Sequence, residues 1–165
     1  HVFNPDSVQI SAEQVRTRWE DIKKSEKARK GLFDDFEHYL PALYASYKIG
    51  KKSGTVGFDW PEPEFVFSKV EEEVGEVLEA MQSGDKVHLQ EELGDLLFVV
   101  SNLVRKCGFE PEETLRLANQ KFINRYQTME RLAEARGVAF EALALDDKEA
   151  YWDEAKRLLK KQKGT

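Results

Sequence analysis

Apolar residues recur along this chain at three- and four-residue steps, the period of amphipathic helices, and no convincing period-two run marks a strand. Ser11-Ala12-Glu13-Gln14 has the form of a capping box, in which the Ser hydroxyl and the Gln amide reciprocally cover free backbone donors. It opens a polar, charge-rich helix toward Lys30. Leu40 to Ser53 reads as a second helix with Leu43, Tyr47 and Gly50 on one side, and Ser53 to Pro61 as a loop whose Gly and Pro residues interrupt any period. Pro63 suits a first helical turn, where its missing N–H costs nothing. The helix it starts runs to about Gln82 and is predicted to bury Phe67, Val70, Val74, Val77, Leu78 and Met81. After the break at Ser83-Gly84-Asp85, the next stripe is Leu89, Leu93, Leu96, Leu97, Val100, Leu103, Val104 and Cys107, closed by Gly108. Glu110-Pro111-Glu112-Glu113 then starts a long helix on Leu115, Ala118, Phe122, Met129, Leu132 and Ala133 that stops near Gly137. Asp146 to Glu149 resembles a second capping box, for a last helix carrying Tyr151, Trp152, Ala155, Leu158 and Leu159. The predicted fold is all-α, an antiparallel bundle of five or six helices.

Composition narrows the class of protein. A length of 165 residues suits one globular domain or two small ones, and the single Cys107 can close no intrachain disulfide, which favours a cytoplasmic setting. The longest wholly apolar run, Leu96 to Val100, is far below the ~20 residues of a membrane span. No basic-then-apolar signal peptide opens the chain, and a first residue of His1 rather than Met fits a fragment or a processed product. The net charge of −6 argues against nucleic-acid or anionic-membrane binding. Nine acids and one base lie between Glu71 and Asp95, giving −8 there and +2 over the rest of the chain. Such a run is either a solvated acidic face or a cation site.

The spacing of the acids supports the second reading. Residues three apart on a helix share a face, separated by about 4.5 Å along the axis. Glu73 and Glu76 form one such pair, Glu92 and Asp95 another. The short break at Gly84 favours an antiparallel hairpin, in which Glu76 lies level with Glu92 and Glu73 level with Asp95; the loop decides whether their azimuths also match. Converging carboxylates stay ionised in a half-buried site only if cations relieve them. An all-oxygen donor set suits Mg²⁺ or Mn²⁺ better than Zn²⁺, and Mg²⁺ so held takes phosphate oxygens as further ligands. A di-iron bundle would want Glu-x-x-His on each of two helices, and only Asp85-Lys86-Val87-His88 approaches that form. Bases and an aromatic stand at helical spacing nearby: Lys69 one turn before Glu73, His88 and Asn102 seven residues either side of Asp95, Lys121 with Arg125, and Trp152 with Lys156. Taken singly, each also reads as a surface ion pair, a core ring or solvated charge.

At these residues the chain resembles the MazG-type nucleoside triphosphate pyrophosphohydrolases of the all-α NTP pyrophosphatase superfamily. Their signature is EExxE, a spacer, then ExxD, here Glu72-Glu73-Val74-Gly75-Glu76 and Glu92-Leu93-Gly94-Asp95. Val56-Gly57-Phe58-Asp59-Trp60, the stretch from Glu91 to Phe98, Ala118-Asn119-Gln120-Lys121-Phe122 and Arg131 to Gly137 resemble the C-terminal half of bacterial MazG. His1-Val2-Phe3 is similar to the junction that follows the first MazG domain.

The resemblance implies Mg²⁺ at Glu73, Glu76, Glu92 and Asp95, with Mn²⁺ as an alternative ion. It implies nucleotide contacts at Lys69, Glu71, Glu72, Glu91, Asp95, Lys121, Arg125 and Trp152, with Asn102 and Lys156 as further candidates. His88 departs from the Lys that is frequent at its position in the family. The implied reaction converts NTP or dNTP and water to the monophosphate and diphosphate, with Glu72 or Glu73 orienting or deprotonating the water. It also implies a homodimer, with residues 1–60 as linker and dimer-contact region and residues 61–165 as the catalytic helical domain. The charge-rich first helix and the aromatics from Leu32 to Tyr47 are the candidate intersubunit surface. Superfamily relatives acting on dUTP, dCTP or phosphoribosyl-ATP use similar carboxylates, and a helical module binding a partner protein through its acidic face is the reading from another class.

Overall fold

A computed structural model describes residues 11–29 and 31–164, and His1-Val2-Phe3 and Lys30 lie outside the described residues. Six α-helices and one 3-10 turn occur among them, with no strand. They are α1 (Ala12–Arg29), α2 (Ala42–Gly54), α3 (Pro63–Ser83), α4 (Lys86–Lys106), α5 (Pro111–Ala135), the turn Phe140–Ala142, and α6 (Leu145–Lys163). Among the described residues no helix is long and apolar enough to cross a membrane.

Most boundaries follow local chemistry. The Ser11 amide donates to Gln14 Oε1 at 3.0 Å and the Gln14 amide to Ser11 Oγ at 3.2 Å, which closes the expected capping box. Asp85 caps α4 by accepting from the Val87 and His88 amides, and Glu110 caps α5 by accepting from Glu112 and Glu113, with Pro111 at the first turn. Gly84 joins α3 to α4 at φ 74, in the left-handed region that a residue with a Cβ rarely enters. The capping box expected at Asp146–Glu149 does not form. α6 starts two residues earlier, behind Ala144 and without a side-chain cap, and Asp146 and Asp147 instead place negative charge in its first turn, against the positive end of the helix dipole.

Packing falls into two antiparallel hairpins, α3 with α4 and α5 with α6, and α2 bridges α4 and the start of α5. The α5–α6 hairpin has its own core of Met129, Ala133, Phe140 and Ala155, flanked by Val138, Leu143, Tyr151 and Trp152. α2 rests on α4 through a polar seam. Ser46 Oγ hydrogen-bonds Ser101 Oγ, and a Cβ on Gly50 would collide with the Asn102 carboxamide and the Arg105 guanidinium. The Tyr44 amide, near the uncapped start of α2, donates to Glu112 Oε2 of α5 at 3.3 Å.

The expected core of α3 and α4 needs correcting. Val66, Val77, Ala80 and Val99 are buried, but Phe67, Val74, Leu78, Met81, Leu93, Leu97 and Val100 are exposed. The apolar stripe is wider than the strip one neighbouring helix can cover, and no other described element packs over the remainder. On α5, Leu115 and Phe122 are likewise exposed.

Candidate active site

The α3–α4 hairpin does bring the acids together. One carboxylate oxygen each from Glu73, Glu92 and Asp95 lies within 4.8 Å of the others, with Glu73 buried, Glu92 half-buried and Asp95 exposed. Glu73 sits on the side of α3 pressed against α4 and is only 4% exposed. Its Oε1 accepts from Lys69 Nζ at 2.7 Å, while its Oε2 is buried without a donor. A buried carboxylate oxygen left without a partner is costly, and a cation is the simplest group to satisfy it. Glu76, one turn on and half-buried, faces both Glu73 and Glu92.

The electrostatics follow from these contacts. The Lys69 ammonium holds Glu73 below the usual carboxylate range, against the opposing effect of burial. Contact with Glu73 pushes Glu76 above that range, because two adjacent carboxylates resist carrying two charges. Only a proton on Glu76 turns that contact into a hydrogen bond. Lys69 also reaches Glu72 Oε1 at 2.9 Å, and the two acids hold its ammonium firmly protonated. Three hard-oxygen ligands, one each from Glu73, Glu92 and Asp95, with Glu76 alongside, fit a divalent cation of the Mg²⁺ or Mn²⁺ type, and nothing in the donor set suits a thiophilic metal.

The other candidates divide into three groups. His88 Nδ1 is 3.4 Å from Glu92 Oε1, beside the cluster, and Glu91 is exposed on the same helix. Asn102 points into the seam with α2, where its amide donates to the Phe98 carbonyl and its Oδ1 accepts from Arg105 Nε. Lys121, Arg125, Trp152 and Lys156 stand on the other hairpin, with Lys121, Arg125 and Lys156 lining a basic groove of about 620 Å³ that also includes Lys160 and Lys163. The Arg125 guanidinium lies 5.2 Å from the centre of the Trp152 ring, which also abuts Phe122, and Lys156 pairs with Asp153 at 2.9 Å. That groove is lined by none of the clustered carboxylates.

Sequence spacing did not reveal one feature of the site region. Asp59, in the loop before α3, accepts from Arg105 Nη1 at 3.0 Å and Nη2 at 2.5 Å, and from Lys106 Nζ at 3.4 Å. The two partners are 46 residues apart, and no helical period links a loop carboxylate to a distant helix end. The guanidinium holds the Asp59 carboxyl below its ordinary range.

Comparison with known proteins agrees with this geometry. Residues 62–129, which contain the whole carboxylate hairpin, match the model of the MazG nucleotide pyrophosphohydrolase domain. The chain is 43% identical over 162 residues to a nucleoside triphosphate pyrophosphohydrolase of Escherichia coli K12, covering 95% of this chain and 61% of that protein. It is 41% identical over 158 residues to the nucleoside triphosphate pyrophosphohydrolase/pyrophosphatase MazG of Thermotoga maritima, covering 94% and 59%. It is 38% identical over 159 residues to the uncharacterized protein YabN of Bacillus subtilis, covering 94% of this chain and 32% of that protein. The chain thus spans about three fifths of the first two relatives. With Glu73, Glu92 and Asp95 brought together inside the matched segment, residues 62–129 form a MazG nucleotide pyrophosphohydrolase domain.

Proposed function

We propose that this chain is a Mg²⁺-dependent nucleoside triphosphate pyrophosphohydrolase that converts NTP or dNTP and water to the monophosphate and diphosphate, acting as a cytoplasmic homodimer. The observation that carries the reading is the buried, donor-less Oε2 of Glu73 beside Glu92 and Asp95. Glu73, Glu76, Glu92 and Asp95 hold the ion. When bound, Mg²⁺ supplies charge neutralisation at the phosphate oxygens and acidifies a water. Glu72 is the better proton acceptor of the two candidates, because it stands outside the cluster while Lys69 keeps it close. It takes a proton as the water oxygen bonds to the α-phosphorus and diphosphate leaves. Lys121 and Arg125 bind phosphate oxygens by charge-assisted hydrogen bonds, and Trp152 orients the Arg125 guanidinium.

Two observations support the dimer. The chain exposes 13340 Å², against roughly 8,400 Å² for a compact monomer of 19.0 kDa. The uncovered surface includes the α3–α4 stripe and Val15, Trp19 and Ile22, which share one face of α1. Residues 1–60 then supply contact surface and residues 61–165 the catalytic domain. The basic groove of one subunit complements the acidic hairpin of the other, so each site draws its cation ligands and its phosphate contacts from different subunits.

The test is a panel of dNTPs and NTPs with Mg²⁺, scored for diphosphate against orthophosphate, in the wild type and in Glu76→Gln. Diphosphate with a monophosphate, lost in the variant while the helical circular dichroism is kept, is the expected result. Orthophosphate alone, or undiminished turnover in the variant, would contradict the assignment.

A further inference from the structure

A second cavity lies on the same hairpin, one to two turns along from the clustered acids. It has a volume of about 460 Å³, and its walls include Phe33, Phe58, Trp60, Phe65, Phe98 and Asn102. Four features set it apart from an ordinary apolar patch. First, it continues the carboxylate site: Phe65 precedes Lys69 by one helical turn, and Phe98 and Asn102 follow Asp95 by three and seven residues, on matching faces of α3 and α4. The distance along α4 from Asp95 is thus about 4.5 to 10 Å. Second, its volume falls within the range of small-molecule sites. Third, aromatic rings from the segment before α2, the loop after it and both hairpin helices surround one carboxamide that is only 1% exposed.

Fourth, the loop wall is clamped. Arg105 passes the bare backbone of Gly50, is braced by Asn102 Oδ1 at 3.1 Å, and grips both oxygens of Asp59, between Phe58 and Trp60. The Trp60 amide closes the turn by donating to Asp59 Oδ1 at 2.9 Å. Arg105 and Lys106 both face the Asp59 carboxylate, so the loop is held by paired charge at its base while the rings form the wall. The rings themselves stay available, and Phe58 is 81% exposed.

Resting on the pyrophosphohydrolase reading, we propose that this aromatic cavity receives the nucleobase of the triphosphate, and that Arg105 is the positioning residue that holds its Phe58-Asp59-Trp60 wall. An aromatic box one or two turns from a cation-bound polyphosphate suits a flat π-face. Stacking of this kind tolerates different bases, so the cavity gives affinity for nucleosides as a class before it discriminates among them.

The test separates the base from the polyphosphate. Binding of a non-hydrolysable α,β-methylene analogue of dATP and of inorganic tripolyphosphate, each with Mg²⁺, is measured by calorimetry on the wild type, Phe58→Ala and Arg105→Lys. In Phe58→Ala, nucleotide affinity falls by about tenfold or more, the scale of one lost base–aromatic stack, and tripolyphosphate affinity holds. Arg105→Lys, which keeps the charge but loses the two-pronged grip, raises KM for dATP with kcat preserved and leaves tripolyphosphate binding unchanged. Equal losses for both ligands, no loss for either, or conversion of a dimer to a monomer by Phe58→Ala would overturn the proposal. So would a wild type that binds neither ligand. Base-dependent binding by a protein that releases no diphosphate would instead sustain the cavity and refute the hydrolase reading.

Discussion

The two hairpins are built alike and charged oppositely. The α3–α4 pair draws acids inward until one carboxylate is buried with an unmatched oxygen, and it leaves much of its apolar stripe uncovered. The α5–α6 pair closes a core of its own around Met129, Ala133, Phe140 and Ala155, and its bases line an open groove. The first hairpin therefore stores electrostatic stress that a cation, or a proton on Glu76, would relieve, while the second offers positive charge along an open groove. A site for a metal-bound polyphosphate needs both kinds of surface.

The largest effect is expected where that stress is stored. Glu73→Gln should lower diphosphate release by more than about 100-fold, beyond the 10–100-fold typical when only a second-shell partner of a metal is changed. It should also abolish the rise in melting temperature that Mg²⁺ gives the wild type. In metal-free buffer its melting temperature should fall, because the folded state favours the ionised Glu73 through its contact with Lys69; an unchanged one would deny that pair a part in stability.

On the basic side, Lys121→Ala with Arg125→Ala should raise KM by roughly 10-fold or more through loss of charge-assisted phosphate contacts, with the Mg²⁺-induced melting shift intact. Mixing that double variant with Glu76→Gln tests how the hairpins meet. If sites form across subunits, random exchange in a twofold dimer restores about a quarter of wild-type activity. No recovery after verified subunit exchange would place both halves of a site in one chain.

Trp152→Ala should cost about 1–3 kcal/mol of stability in urea unfolding, less than a fully buried Trp because the ring is half-exposed at the edge of the α5–α6 core. The smallest effect concerns pH. Arg105 holds the Asp59 carboxyl below its ordinary value of 3.8, so the stability this pair contributes is complete above that value. It is lost as pH falls through the lower folded value. Asp59→Asn should flatten this acid limb of the melting-temperature profile, and an unchanged limb would deny the pair any part in it.

Much of this was legible in the chain. Capping chemistry marked the starts of α1 and α5, and Gly84 the hairpin, because those signals act over three or four residues and need no tertiary partner; the Asp85 cap of α4 was not read from the chain. The acidic levels were legible for the same reason, since i,i+3 spacing and a short turn nearly fix where Glu73, Glu92 and Asp95 fall. The start of α6 was missed because acidic residues serve a first turn as well as a cap. The apolar stripes were read correctly as stripes, and Val77, Met129, Ala133 and Ala155 as core, but much of the α3 and α4 stripes is exposed, because periodicity gives the face of a helix and not what covers it.

The amino-acid order by itself determined the helical class, the hairpin and the four acids at matched heights, all consequences of short-range geometry with a fixed rise per residue. Only the folded chain decided that Glu73 would be the buried acid with an unmatched oxygen, that Arg105 would slip past Gly50 to hold Asp59, and that the bases would line a groove apart from the acids. Those outcomes depend on which helix faces which, and that is set by the summed packing of side chains far apart in the chain.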